Sequence, residues 1–171
     1  VVNLIDEILV APGAGGTLIW EGVIEDGGAL IDTDGFSASI LRPLVHDAAL
    51  VGIRDGGLTK QGAGTLTLAA ANTFTGPVRL TADTLALVNT ASNNIVANAS
   101  LIDVQFGTVL DVTGLDNGPL TGTLVLASGQ TLKGTGTVRG RLIAAGGSTV
   151  APGGAHVPVG GSPGILIQEG N

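Results

Sequence analysis

The chain has 171 residues, of which only 12% are charged, and it carries a formal net charge of −7 at pH 7. That length suits one ordinary domain, and the negative balance argues against nucleic-acid backbones and anionic lipid surfaces as partners. There is no cysteine, which excludes a disulfide framework, a thiolate metal site and a cysteine nucleophile.

Hydrophobic residues make up 44% of the chain and aromatic residues 2%, so the core is built from Val, Leu, Ile and Ala. Small, uniform side chains of this kind pack in repeated layers on a pleated surface. The 29 glycines imply many tight turns, but they follow no three-residue period, so collagen is excluded. A mean hydropathy of +0.49 argues against a disordered chain. No stretch approaches the roughly 18 apolar residues of a membrane-spanning helix. The N-terminus lacks the basic segment of a signal peptide, so the expectation is a mature chain or a piece of a longer one.

In chain order, Gly16-Thr17-Leu18 is the first strand start. Asp32-Thr33-Asp34-Gly35 begins like a calcium loop, since hard cations want clustered carboxylate oxygens. It lacks the rest of an EF-hand or of a β-roll nonapeptide and reads as a polar turn. Residues 39–50 are the best helix candidate, and Pro43 breaks them. His46-Asp47 is the one adjacent His-Asp pair. With no Gly-x-Ser-x-Gly elbow and no Cys beside it, the pair reads as a loop rather than a hydrolase site.

The clearest signal is alternation. Thr65-Leu66-Thr67-Leu68 puts two leucines on one face and two threonines on the other, as a strand's period of two requires. The pattern returns at Thr84-Leu85-Ala86-Leu87, Val109-Leu110-Asp111-Val112, Thr123-Leu124-Val125-Leu126 and Gly164-Ile165-Leu166-Ile167. Turn signals separate these strands at Gly62-Ala63-Gly64, Thr75-Gly76-Pro77, Asp116-Asn117-Gly118-Pro119, Ser128-Gly129 and Gly146-Gly147-Ser148. Asp103 and Asp111 could project from neighbouring coils as an acid-base pair, although outward solvated positions explain them more simply. Gly134-Thr135-Gly136 lacks the lysine spacing of a phosphate loop and reads as a tight corner. His156 lies in a Pro-Gly loop, and one other histidine is too few for a histidine-based metal site. No catalytic, cofactor-binding or metal residues are assigned.

Asn-Gly hairpin turns and aromatic core anchors are both scarce, which favours a parallel solenoid over a sandwich. A loose Gly-x-Leu recurrence at Gly16-Thr17-Leu18, Gly64-Thr65-Leu66, Gly122-Thr123-Leu124 and Gly164-Ile165-Leu166 points the same way. Coils of about 20 residues rising about 4.8 Å each predict about eight coils in a rod about 40 Å long.

Residues 57–88 resemble the autotransporter-associated β-strand repeat of exported bacterial proteins. The matching positions are Leu58, Lys60, Gly62, Gly64, Leu66, Leu68, Asn72, Thr73, Phe74, Thr75, Gly76, Leu85 and Leu87. Thr131-Leu132-Lys133-Gly134-Thr135-Gly136-Thr137-Val138, Val150-Ala151-Pro152-Gly153-Gly154 and Gly161-Ser162-Pro163-Gly164 resemble the downstream part of such passengers. Residues 16–24 resemble the coil that often precedes the repeat. Pro77 and Asp83 stand where the family commonly has Gly, and the chain shows no C-terminal translocator barrel. The resemblance implies an all-β, right-handed parallel β-solenoid over residues 1–171, with weaker coils in 1–56 and Gly/Pro-rich coils in 120–171. It also implies export to the cell surface or release from it. It implies no single activity, because such passengers include adhesins, proteases, esterases and spacers.

On packing grounds Leu66, Leu68, Phe74, Leu85, Leu87, Leu124 and Leu126 form the stacked core. Gly62, Gly64 and Gly76 make corners, and Asn72 joins an amide ladder or satisfies a turn. The functional expectation is a non-catalytic extracellular stalk or fibre subunit without a cofactor. It would self-associate through its open ends, which the acidic Asp6, Glu7 and Glu169 would moderate, and it would neither bind nucleic acid nor insert in a membrane. The alternative is an adhesin for host or matrix glycans or proteins, with Trp20, Phe36, Phe74 and Phe106 as the available rings. A carbohydrate-active enzyme on this scaffold is the least favoured reading, because Tyr, Trp, Arg and His are scarce.

Overall fold

The computed structural model describes residues 16–18, 22–92, 94–116, 118–153 and 167–169. Among these the protein is all-β, with no α-helix and one 3-10 turn at Gly118–Leu120. Seven strands form the longer sheet, in the order β1 (Gly16–Leu18), β4 (Ala38–Ile40), β7 (Thr65–Leu68), β9 (Thr84–Asn89), β11 (Val109–Leu115), β14 (Thr137–Arg139) and β17 (Ile167–Glu169). Six form the second: β3 (Ala29–Asp32), β6 (Leu58–Gln61), β8 (Val78–Leu80), β10 (Leu101–Val104), β13 (Thr131–Gly134) and β16 (Thr149–Pro152). Two short pairs, β2 (Gly22–Ile24) with β5 (Leu44–His46) and β12 (Thr123–Leu126) with β15 (Arg141–Ala144), make a partial third face. The strand pairings are parallel, and the chain crosses to the other sheet between neighbours in the first, which is the connectivity of a β-helix.

Register turns the period of two into columns. Leu66 stacks on Leu85, Leu85 on Leu110 and Leu110 on Val138, while Ile40, Leu68 and Leu87 form the adjacent column. Across the core, Leu58, Val78, Ile102 and Leu132 align in the same way. All of these are buried, as are Leu124 and Leu126. Fully burying one such side chain contributes on the order of 1.5–3 kcal/mol, so the columns supply most of what holds the coils together. Phe74 is buried beside them, whereas Phe36 and Phe106 stand exposed at corners between the sheets.

Glycine is required where corners stack. At Gly64, φ is +91°, and an added Cβ would lie 2.1 Å from the Phe36 carbonyl oxygen of the coil before. Gly62, at φ +72°, starts the same corner.

One expectation is corrected by this architecture. The Gly-x-Leu recurrence is not a coil repeat: Leu18 pairs with Ile40 and Ile40 with Leu68, rather than Leu66, and Gly122-Thr123-Leu124 runs into the third face. The longer sheet holds seven described strands, unevenly spaced along the chain because residues are spent in loops between β5 and β6 and between β9 and β10. The break expected at Pro43 is present: Pro43 separates strands β4 and β5, and residues 39–50 form no helix. Of Gly164-Ile165-Leu166-Ile167 only Ile167 is among the described residues, and it opens β17. Trp20, His156, Asp6 and Glu7 lie outside them.

Candidate functional site

The densest group of polar side chains centres on Asp55, just upstream of the segment that resembles the passenger repeat. Its side chain is fully buried and accepts five hydrogen bonds. Oδ2 takes the Thr75 N–H at 2.7 Å, the Thr75 hydroxyl at 3.1 Å and His46 Nδ1 at 2.7 Å. Oδ1 takes the N–H of Gly76 at 2.8 Å and that of Gly57 at 3.0 Å. Burial works against the charge, but the Thr75 amide, the His46 ring and the Gly76 and Gly57 amides outweigh it and hold the carboxyl below its ordinary value. Close approach makes this possible, since a Cβ on Gly76 would meet the Asp55 carbonyl at 2.3 Å. Asp55 thereby ties one coil to the next.

His46, at the end of β5, lies between Asp55 and the Leu50 carbonyl oxygen, which is 3.3 Å from Nε2. The hydrogen bond to Asp55, more than any other cause, raises its pKa above the ordinary 6.5. The trio of Asp55, His46 and Thr75 is not a nucleophile-base-acid relay. Thr75 Oγ1 lies 3.4 Å from Nδ1, the nitrogen that faces the carboxylate, whereas a hydroxyl nucleophile must meet the opposite nitrogen. His46 also pairs with Asp55 and not with its sequence neighbour Asp47. The ring borders a shallow open depression with Leu50, Ile53, Arg54 and Asn98.

A second group fills the corner after β6. Lys60 occupies an inward column between Ile31 and Leu80 and is completely buried. Its ammonium donates to Thr33 Oγ1 at 2.8 Å, to the Gln61 carbonyl at 3.1 Å and to the Gly62 carbonyl. All three ammonium hydrogens therefore have acceptors. Burial pushes the Lys60 pKa down, against the pull of Asp83 and Asp32. Asp83 adopts a positive φ of 50° at the corner before β9. Its carboxylate accepts the Gly64 N–H at 2.8 Å and the Thr84 hydroxyl at 2.9 Å, and these bonds hold it below the ordinary carboxylate value.

The other singled-out residues are dispersed. Asp32 accepts the Asp34 N–H and the Gln61 amide, both at 2.9 Å, so the Asp32-Thr33-Asp34-Gly35 carboxylate serves its own turn. Among the described residues no three His, Asp or Glu side chains are grouped to hold a metal ion. Asp103 and Asp111 lie on different sheets. Each faces a cation of the next coil, Lys133 at 3.2 Å and Arg139 at 3.4 Å. Asn72 forms no amide ladder. Its Oδ1 accepts the Leu44 N–H at 2.9 Å, and its Nδ2 donates to Ala70 at 2.9 Å and Ile95 at 3.0 Å, tying three coils together. Gln130 does similar work, donating to Val96 at 2.9 Å and Ala99 at 3.0 Å while accepting from Asn94 at 2.8 Å. Sequence reasoning missed Asp55, Asn94 and Gln130 and the reach of Lys60. The only signal for Asp55 was its place in Asp55-Gly56-Gly57, an acidic residue followed by two glycines that allow close backbone approach.

Comparison with known proteins places one segment of the chain. A family model described as the passenger-associated-transport-repeat matches residues 58–87, the stretch that runs from β6 through β9 and contains Lys60, Asn72, Thr75 and Gly76. This repeat points to an autotransporter passenger segment, and with it to an exported, surface-associated protein. No curated protein and no solved structure matches the chain.

Proposed function

We propose that the chain is a structural stretch of an exported passenger: a right-handed parallel β-helix that serves as a stalk or fibre subunit outside the cell. The observation that carries this reading is how its buried polar groups are used. Asp55 accepts bonds from two coils, Asn72 bridges three, and the Lys60 ammonium is saturated by a neighbouring coil's hydroxyl and two corner carbonyls. Groups committed in this way hold coils in register, and these three have their donors and acceptors engaged within the protein rather than turned toward a substrate. A β-helix also ends in strand edges that a second copy can extend, which is the route from stalk to filament.

Negative-stain electron microscopy over a range of concentrations tests the reading. Long uniform fibres support a filament. Short rods at every concentration overturn the filament and keep the stalk, whereas globular particles overturn both. An adhesin reading rests on Phe106, 78% exposed at a corner, where a ring can stack on a sugar face. Glycan-array binding that Phe106→Ala abolishes would favour it.

A further inference from the structure

Residues 47–54 leave the coil between β5 and β6 and project outward, with Val51 85% and Ile53 64% exposed. The excursion is stitched mostly to itself. Ala49 N–H donates to Asp47 Oδ1 at 2.9 Å, Leu50 N–H to the Asp47 carbonyl at 3.0 Å, Val51 N–H to Ala49 at 3.0 Å and Ile53 N–H to Leu50 at 3.2 Å. Its limbs are fixed by the Asp47 N–H on the Ile24 carbonyl at 3.1 Å and by Arg54 Nη1 on the Thr75 carbonyl at 3.3 Å. Between those limbs, among the described residues, one hydrogen bond joins residues 48–53 to the coil, from His46 Nε2 to the Leu50 carbonyl.

Both partners of the imidazole are acceptors. Nδ1 faces the Asp55 carboxylate, which four other hydrogen bonds keep ionised, and Nε2 faces a carbonyl oxygen. A neutral imidazole carries one N–H and can satisfy only one of them; the imidazolium satisfies both. On losing a proton the ring keeps Nδ1–H for the shorter, charge-assisted bond to Asp55 and turns a lone pair toward the Leu50 oxygen. The side chain is 25% exposed, so the proton exchanges with solvent.

We infer that His46 is a proton-operated clasp, which holds the 47–54 loop against the coil when protonated and releases it when neutral. The charged groups around the ring are Asp55 beneath it, Asp47 beside it on the loop, and Arg54 on the returning limb, whose guanidinium is turned to the Thr75 carbonyl. Thr75 and Asn98 from the neighbouring coils are neutral. The two carboxylates favour the imidazolium, and the hydrogen bond to Asp55 raises the folded pKa. A raised value means that the clasp is fully closed below the unfolded imidazole value of 6.5 and opens as pH rises through the folded one. The inference stands apart from the stalk reading, because it concerns one loop whatever the rod does.

The test is nuclear magnetic resonance on the whole chain from about pH 5 to about pH 9, a span that brackets the imidazole transition. It follows the His46 ring nitrogens together with hydrogen-exchange protection of the Leu50, Val51 and Ile53 amides, corrected for intrinsic rates. Protection in the loop should fall several-fold with the midpoint of the His46 titration, while Leu85 and Leu110 amides stay protected. In His46→Gln, whose amide does not titrate, the loop should show one level of protection throughout. Loop protection that ignores the His46 midpoint in the wild type, or a loop transition that persists in His46→Gln, would overturn the clasp. The wild-type titration decides the matter even if the variant folds poorly.

Discussion

Lys60 Nζ donates to Thr33 Oγ1 at 2.8 Å across the boundary between two coils, and Thr33 donates its own hydroxyl hydrogen to the Ala63 carbonyl. An ammonium thus stands within an inward column, between Ile31 and Leu80, and closes a corner that would otherwise leave carbonyl oxygens facing the core. Lys60→Met keeps the aliphatic stem and removes the three donors. We expect a loss of about 2 kcal/mol, the cost of leaving buried acceptors without partners, read as a lower denaturant midpoint at unchanged slope. An unchanged midpoint would mean that desolvating the ammonium costs as much as its hydrogen bonds return.

The corner glycines separate two causes of strain. Gly64→Ala meets both a positive φ and a Cβ 2.1 Å from the Phe36 oxygen, whereas Gly129 has a positive φ of 78° and nothing within 4 Å of an added Cβ. Gly129→Ala should therefore cost only the conformational penalty, about 1 kcal/mol. Gly64→Ala should cost at least about 3 kcal/mol, because two coils must separate. Thermal unfolding of the two variants measures the difference, and equal melting temperatures would refute the stacked-corner geometry.

Leu85 lies between Leu66 and Leu110 in the central column and has no exposed surface. Leu85→Ala should destabilise by about 3 kcal/mol, since a stack of fixed spacing collapses poorly around a cavity. Val51→Ala, on the projecting loop, should stay within about 0.5 kcal/mol of wild type. If chemical denaturation ranks the two alike, the columns are not the main source of stability.

What was legible in the sequence was what repeats along it. The Thr65-Leu66-Thr67-Leu68 alternation announces its own buried face, and Gly62 and Gly64 announce a corner, because local backbone chemistry dictates both. The Gly-x-Leu starts misled for a related reason. Gly122-Thr123-Leu124 obeys the same strand rule as Gly64-Thr65-Leu66, yet it lies on a different face, and a period of two carries no information about which sheet a strand joins. Asp55 was invisible because its partners come from His46, Gly57, Thr75 and Gly76, which meet only once coils of unequal length have stacked. Lys60 stood in the sequence only as a position of the repeat; its alternation with Leu58 points it inward, and the corner carbonyls that make a buried ammonium tolerable come together only in the folded coil.

Asp55 also predicts how the protein fails in acid. Its folded pKa lies below the ordinary 3.8, so in acid the unfolded chain binds a proton that the folded chain refuses. The stabilisation is fully present above the ordinary carboxylate value and is lost as pH falls through the depressed folded one. Asp32 and Asp83 are depressed as well, but both are exposed and solvent screens them. Asp55→Asn places an amide nitrogen where the carboxylate met either the Thr75 and His46 donors or the Gly57 and Gly76 donors, leaving buried N–H groups unpaired at a cost of about 3 kcal/mol near neutral pH. That deficit should shrink as pH is lowered through the Asp55 titration, because the wild type gives up the same bonds when it takes on its proton. Denaturant midpoints of both proteins across the acid range check this, and a deficit that stays constant with pH would show that the carboxylate's charge is not what clamps the two coils.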